Sequence, residues 1–408
     1  MERAVLLAAT DTGSCPRRAA DASLDELAQL VDAAGGEVVA RIVQAGAAQQ
    51  VGAGKRREVA EVATDLQADV VVFDGELGGT RRRQWEDEFG TRVVDRTQVI
   101  LDVFARHATS VEGRLQVEAA QLRYMLPRLS GRTDAGYSRQ RGRIGTRGPG
   151  ETRLETDRRR IRTRLSELNG ELGRLERERA SRRERRRAGD VPVVALGGYT
   201  NVGKSTLFRQ LSRRWTPTAD ALFVTLDPAV RRVHLPGFGP VLLVDTVGFV
   251  SHLPHELVAA FHSTLAEIAG ASLIVVVERA GSPRRTLERE AVEDVLHTLG
   301  ADTITHLVAA TQWDLMDPTS DPDGIPVSGL TGFGMDDLTA AMRDALMGRR
   351  PLLQAFMPWD AGEVLGWILA EGDVVDESPR ADGLYLTFRA PPHVEARVNR
   401  RLARGTGA

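Results

Sequence analysis

The chain has 408 residues, enough for two or three separately cored domains, and its 42% apolar and 27% charged residues are those of an ordinary globular protein. A single cysteine, Cys15, excludes an internal disulfide and a thiolate zinc centre. The apolar run Ala4 to Ala9 is too short for a signal-peptide core or a membrane span, so a cytoplasmic location is expected.

In chain order, strand-like runs occur at Val5–Ala8, Glu37–Val43, Asp69–Phe73 and Arg92–Asp95. Helical patterns lie between them, and Ser23-Leu-Asp-Glu26 reads as a capping box opening a helix that ends near Gly35-Gly36. Such alternation predicts a small α/β domain with a mainly parallel sheet over residues 1–97. Lys55, in Val51-Gly-Ala-Gly54-Lys55, reads as a surface lysine at a helix start, with a second ligand or RNA contact as the alternative.

From Thr97 to Leu129 a helical pattern takes over, with Leu115, Val117, Leu122 and Met125 on its apolar stripe. A second runs from Glu151 to Arg187 through Leu154, Ile161, Leu165, Leu168, Leu172 and Leu175. Together they predict an antiparallel helical hairpin over residues 98–190, joined by a loop rich in glycine and arginine. Residues 123–187 hold 21 arginines against nine acidic residues. Ion pairs spaced i,i+4 along solvated helices account for part of this excess. Arg139, Arg141, Arg143 and Arg147 lie in the glycine-rich loop, where helix pairing cannot place them, and read as contacts to nucleic-acid phosphates. Tyr124 and Tyr137 are the sole tyrosines nearby, so phosphate and shape contacts are expected rather than base stacking.

Residues 191–350 carry the nucleotide chemistry. The chain uses lysine twice and arginine 52 times, and one lysine, Lys204, stands in Gly198-Tyr199-Thr200-Asn201-Val202-Gly203-Lys204-Ser205. The spacing Gly-x-x-x-x-Gly-Lys-Ser, after the strand-like Val191–Leu196 and before a helix through Leu211, is that of a phosphate-binding loop. Its amides would wrap phosphates, Lys204 would sit between the β- and γ-phosphates, and the Ser205 hydroxyl would hold Mg²⁺. Asp245-Thr246-Val247-Gly248, after the strand Val241–Val244, would hold Mg²⁺ through water and sense the γ-phosphate at the Gly248 amide. Between them, Phe223-Val224-Thr225-Leu226-Asp227 offers Thr225 as a second Mg²⁺ hydroxyl. The catalytic candidates are Lys204, Asp245 and Gly248. Phe249 stands where Ras-like enzymes often carry a water-orienting glutamine, so slow intrinsic hydrolysis is expected. His252 and His255, nearby in sequence, read as surface residues.

A later strand, Ile304–Ala310, ends in Thr311-Gln312-Trp313-Asp314, where GTPases usually carry Asn-Lys-x-Asp. Asp314 would accept two hydrogen bonds from guanine that adenine cannot supply, and Ser328-Gly329-Leu330 stands at the usual Ser-Ala backbone contact. Residues 351–408 read as a small α+β domain, with a helix at Glu363–Ala370, strands at Asp373–Val375 and Gly383–Phe388, and a basic helix at Val394–Leu402.

The phosphate loop, Leu222–Pro228 and Asp245-Thr-Val-Gly-Phe-Val-x-x-Leu-Pro-His255 together resemble the HflX family of ribosome-associated GTPases. Arg143-Ile-Gly-Thr-Arg-Gly-Pro-Gly-Glu-Thr-Arg-Leu-Glu-Thr-Asp157 is the most specific part of the likeness. Val94-Asp-Arg-Thr97, Leu115–Tyr124 and Val51–Lys55 extend it, so that it covers about residues 20 to 345. The resemblance implies an N-terminal α/β domain, a hairpin bound to the large ribosomal subunit and its rRNA near the peptidyl-transferase centre, and a Ras-like domain that turns GTP to GDP with Mg²⁺. It further implies a role in splitting or rescuing stalled ribosomes, and a monomer is expected. An RNA-binding protein with negligible turnover and a ribosome-assembly GTPase remain the alternatives. Glu278 departs from the Asp that commonly ends the family's fourth strand.

Overall fold

Uninterrupted apolar runs such as Val70–Phe73 belong to strands covered on both faces, which is the condition of a parallel sheet. In the computed structural model, which describes residues 1–10, 16–45, 51–129, 149–188, 191–212, 229–249, 267–317 and 322–405, two such sheets are present. The chain divides into two units, whose described residues are 1–178 and 179–405.

In the first unit β1 (Glu2–Thr10), β2 (Gly36–Ala45), β3 (Val70–Phe73) and β4 (Arg92–Asp95) pair in the order β2-β1-β3-β4, all parallel. Parallel neighbours need crossovers, and α1 (Pro16–Ala33), α2 (Ala53–Asp65) and α3 (Gly79–Phe89) make them. Val59 and Ala63 of α2 and Trp85 and Phe89 of α3 pack on Val5, Leu7, Val71 and Phe73, with Phe73 and Trp85 edge to face at 5.1 Å. Leu24, Leu27 and Leu30 of α1 are fully covered, and α1 packs on α4 (Arg96–His107).

The structure departs from two local expectations. Because α1 starts at Pro16, Ser23 and Glu26 lie inside the helix and do not cap it. Both serve the buried Arg96 instead: Nη1 donates to Ser23 Oγ at 3.2 Å, and Nη2 pairs with Glu26 at 2.7 Å. The helical pattern over 97–129 is two helices, α4 and α5 (Val111–Arg128). Asp95 caps α4 by accepting from the Gln98 amide at 3.0 Å, and Ser110 caps α5 by accepting from the Gly113 amide at 2.8 Å.

Helix α6 (Pro149–Ala188) meets α5 through Ala119, Leu165 and Leu168, extended by Leu115, Leu122, Ile161 and Leu172. The C-terminal end of α5 is fixed by Asp95, which is fully buried. Beyond its cap bond, its carboxylate accepts from Tyr124 Oη at 2.7 Å, the Leu77 amide at 3.0 Å and Arg128 at 3.3 Å. Burial, and then the Asp95 charge, hold the Tyr124 phenol well above its usual range. Arg128 also lies over the Tyr124 ring at 3.6 Å.

In the second unit β5 (Val193–Gly198), β6 (Ala229–Leu235), β7 (Gly239–Asp245), β8 (Leu273–Arg279), β9 (His306–Thr311) and β10 (Ile325–Pro326) run in the order β10-β9-β8-β5-β7-β6. Every pairing is parallel except the β6–β7 hairpin, which makes this a Ras-like sheet. Helices α7 (Lys204–Ser212), α8 (Arg285–Thr298) and α9 (Met335–Gly348) accompany it. Leu207, Leu211, Leu338 and Met342 join Val194, Leu196, Leu243 and Val275 in one core. Strand β5 lies where strand order reverses, and ligands of open α/β sheets bind beyond the carboxyl ends at such a point.

The C-terminal residues add an antiparallel sheet, β11 (Leu353–Pro358), β12 (Asp373–Pro379) and β13 (Gly383–Arg389), in the order β11-β13-β12. Val364 and Ile368 of α10 (Gly362–Glu371) and Val394 and Val398 of α11 (Pro392–Gly405) cover Met357, Leu386 and Phe388. No helix among the described residues is long and apolar enough to cross a membrane.

Candidate nucleotide site

The phosphate loop begins where β5 ends, at Gly198, and closes into α7 at Lys204. Asn201 takes a left-handed backbone (φ 58°), which a short polar side chain tolerates. No acidic residue stands in the first turn of α7, so the positive end of the helix is not offset from within. The Lys204 side chain is 6% exposed and folds back over the loop, its Nζ donating to the Tyr199 carbonyl at 2.5 Å. Burial lowers the Lys204 ammonium to about 8, against the opposing pull of the Asp245 carboxylate.

Asp245 is 2% exposed at the end of β7, and its Oδ2 accepts from Ser205 Oγ at 2.8 Å. Thr246 Oγ donates to the Leu196 carbonyl at 2.7 Å, which ties the segment to β5. Gly248 comes so near the loop that a Cβ there would lie 2.7 Å from Thr200 Cγ2 and 3.0 Å from Lys204 Nζ. Only glycine permits that approach. Beyond it, backbone bonds lace the two segments: the Thr200 amide donates to the Phe249 carbonyl at 2.8 Å, and the Phe249 amide to the Gly198 carbonyl at 3.1 Å. The Phe249 ring is 2% exposed, buried in the domain and not directed to solvent.

On the other side of β5, β9 ends in Thr311, which is 2% exposed. Gln312 has a left-handed backbone (φ 58°), and Trp313–Leu315 form one 3₁₀ turn carrying an exposed Asp314. Ser328 is buried and turns the next loop, accepting at Oγ from the Thr331 amide at 3.1 Å. Gly329 follows, and a Cβ on it would lie 3.1 Å from the Leu207 amide nitrogen, so this loop rests on the first turn of α7. Leu330 is exposed.

The structure thus brings Gly198–Ser205, Asp245–Gly248, Thr311–Asp314 and Ser328–Gly329 to one end of the sheet. Thr225 with Phe223, Val224, Leu226 and Asp227, Arg139, Arg141, Arg143 and Arg147, and His252 and His255 lie outside the described residues. For a divalent cation, Ser205 Oγ and Asp245 Oδ2, 2.8 Å apart, are the hard oxygen donors that Mg²⁺ takes. No cluster of three or more His, Cys, Asp or Glu able to hold a metal occurs among the described residues.

Motif reading missed a clamp beside the site. Arg289 grips Glu278 with Nε and Nη2, both at 2.8 Å, and Arg285 Nε adds a third bond at 2.8 Å. Burial alone would raise the Glu278 carboxyl, but the two guanidiniums outweigh it and hold it below its usual range. Both arginines also pair with Asp323, at 3.2 and 3.0 Å. The i,i+4 spacing of Arg285 and Arg289 was the available signal.

Comparison with known proteins follows the same division of the chain. A family model described as 50S ribosome-binding GTPase matches residues 193–311. Models for the N-terminal and middle regions of GTP-binding GTPases match residues 21–105 and 107–186. The protein named GTPase HflX of Escherichia coli (strain K12) is 42% identical over 338 residues, covering 80% of this chain and 79% of that protein. The GTPase HflX of Caldanaerobacter subterraneus subsp. tengcongensis is 38% identical over 403 residues, covering 97% of this chain and 93% of its own length. At that identity and coverage, the chain belongs to the HflX family of GTPases.

Proposed function

We propose that this chain is a Mg²⁺-dependent GTPase that acts on the large ribosomal subunit. The observation that carries the reading is the meeting of Lys204, Ser205, Asp245 and Gly248 at one end of the sheet, with Lys204 buried and Ser205 bonded to Asp245 at 2.8 Å. The amides of residues 200–205 would cradle the phosphates, and Lys204 would place its ammonium between the β- and γ-groups. Ser205 and Thr225 would hold Mg²⁺ directly and Asp245 through water. Mg²⁺, when bound, supplies neutralising charge for the β- and γ-oxygens. Gly248 would offer its amide to the γ-phosphate, and Asp314 would select guanine.

Phe249 is covered by the protein and carries no group able to orient a water, so the free protein turns over slowly and a partner speeds it by ordering the segments around the phosphates. The likeness at Arg143–Asp157 and the family model described as 50S ribosome-binding GTPase support the ribosome as that partner. Arg139, Arg141, Arg143 and Arg147 would contact rRNA phosphates. Splitting or rescue of stalled ribosomes is the role the family resemblance favours.

The test is single-turnover hydrolysis of GTP and ATP, with and without large subunits. GTP turnover that rises with subunits supports the reading, and a fast rate indifferent to them rejects partner activation. A fourfold Arg→Gln variant of the loop should weaken ribosome binding and flatten its salt dependence. Thr311 and Gln312, in place of Asn and Lys, favour one second reading, an RNA-binding protein with negligible turnover. No GTP hydrolysis under any condition would support it.

A further inference from the structure

Thr311 occupies the position that is usually Asn in GTPases, and its surroundings give it another task. Its Oγ lies 2.5 Å from the carbonyl oxygen of Val202, in the phosphate loop, and 2.9 Å from that of Glu278, near the end of β8. A hydroxyl has one proton, and both neighbours only accept. That proton is therefore committed within the protein, at a side chain 2% exposed. The backbone around it is fixed as well, with the Ala280 amide donating to the Thr311 carbonyl at 2.9 Å and the Trp313 amide to the Val327 carbonyl at 3.2 Å. Phosphate loop, β8 and β9 meet at a single hydroxyl.

Guanine presents donors at N1 and N2 and acceptors at O6 and N7. The exposed Asp314 carboxylate suits the donor edge, and the Gly329 and Leu330 amides would serve O6, since those of Thr331, Gly332 and Phe333 are bonded within the loop. N7 would need an N–H or O–H, and Thr311 has none to give. Resting on the nucleotide-site reading above, we propose that Thr311 is a positioning residue that ties the phosphate loop to the base-reading strand, and that guanine N7 goes unread.

Calorimetric titration of the full chain with Mg²⁺-GDP, 7-deaza-GDP and inosine diphosphate separates the possibilities. The structure predicts 7-deaza-GDP and GDP affinities within about twofold. It predicts roughly 10- to 100-fold weaker binding of inosine diphosphate, which lacks the N2 donor facing Asp314. Thr311→Val should bind GDP and 7-deaza-GDP about tenfold or more weakly and to the same degree, because the loss falls on the phosphate loop and not on the base. Thr311→Ser should restore both. A 7-deaza-GDP affinity about tenfold or more below that of GDP would show that N7 is read, and a Thr311→Val protein with wild-type affinity would show that there is no tie; either overturns the proposal. The 7-deaza comparison needs only the wild type and holds if Thr311→Val fails to fold. A wild type that binds no GDP at all sinks the nucleotide-site reading, and this proposal with it.

Discussion

Two buried polar clusters, one in each unit, carry charge in opposite ways. In the N-terminal unit Asp95 is surrounded by donors from the protein itself: two amides, a phenol and a guanidinium. In the second unit Lys204 makes, among the described residues, one hydrogen bond, to a carbonyl, and burial lowers its pKa to about 8. A carboxylate provided with four donors is a fastener. An ammonium held away from water, with the Asp245 charge only partly offsetting its burial, suits the incoming phosphate of the function proposed above. Burial is common to both, and the source of the compensating partners differs.

Substitutions should pull this contrast apart. Asp95→Ala leaves several buried donors short of their acceptor and should cost about 3–5 kcal/mol of stability. Denaturant unfolding measures this, and nucleotide affinity of the folded fraction should hold. Lys204→Ala should do the reverse, with turnover falling roughly 10²- to 10³-fold while the unfolding midpoint stays or rises. A Lys204→Ala protein that keeps wild-type turnover would remove the assignment. Gly248→Ala, whose new Cβ meets Thr200 and Lys204, should cost about 1–3 kcal/mol of overpacking. That cost should appear in GTP turnover more than in GDP binding, since Gly248 is assigned to the γ-phosphate.

The smallest effect is one of pH. Lys204 has a folded pKa of about 8, below the ordinary lysine value near 10.4, so the unfolded chain binds more protons between these limits. Its contribution to stability therefore rises with pH across that window. A bound phosphate favours the ammonium, so nucleotide affinity falls as pH climbs above about 8, by at most tenfold per unit. At pH 8 binding should take up about half a proton, read from titrations in buffers of different ionisation enthalpy.

How much of this was legible in the sequence varies by element. Strands buried on both faces, such as Val70–Phe73, announce themselves as apolar runs, and the glycine spacing of the phosphate loop is a backbone requirement that survives in one dimension. Edge strand β6 did not show, because Arg231 and Arg232 lie exposed in its middle. Ser23 and Glu26 match a capping box, and only the third dimension reveals Arg96 between them. Glu278 read as a departure from the family's Asp, yet its carboxylate is engaged by arginines of α8 that carry no motif of their own. Local chemistry writes itself into spacing, and long-range pairing does not.

The reciprocal bonds between Thr200 and Phe249 and between Phe249 and Gly198 close a small ring of backbone. Both bonds pass through Phe249, so separation of the two segments at that residue breaks them together. Their two amide hydrogens should therefore exchange with deuterium at a common rate, set by one opening event, and slow together when a nucleotide binds. That shared rate would report how often the phosphate loop parts from the segment that follows β7.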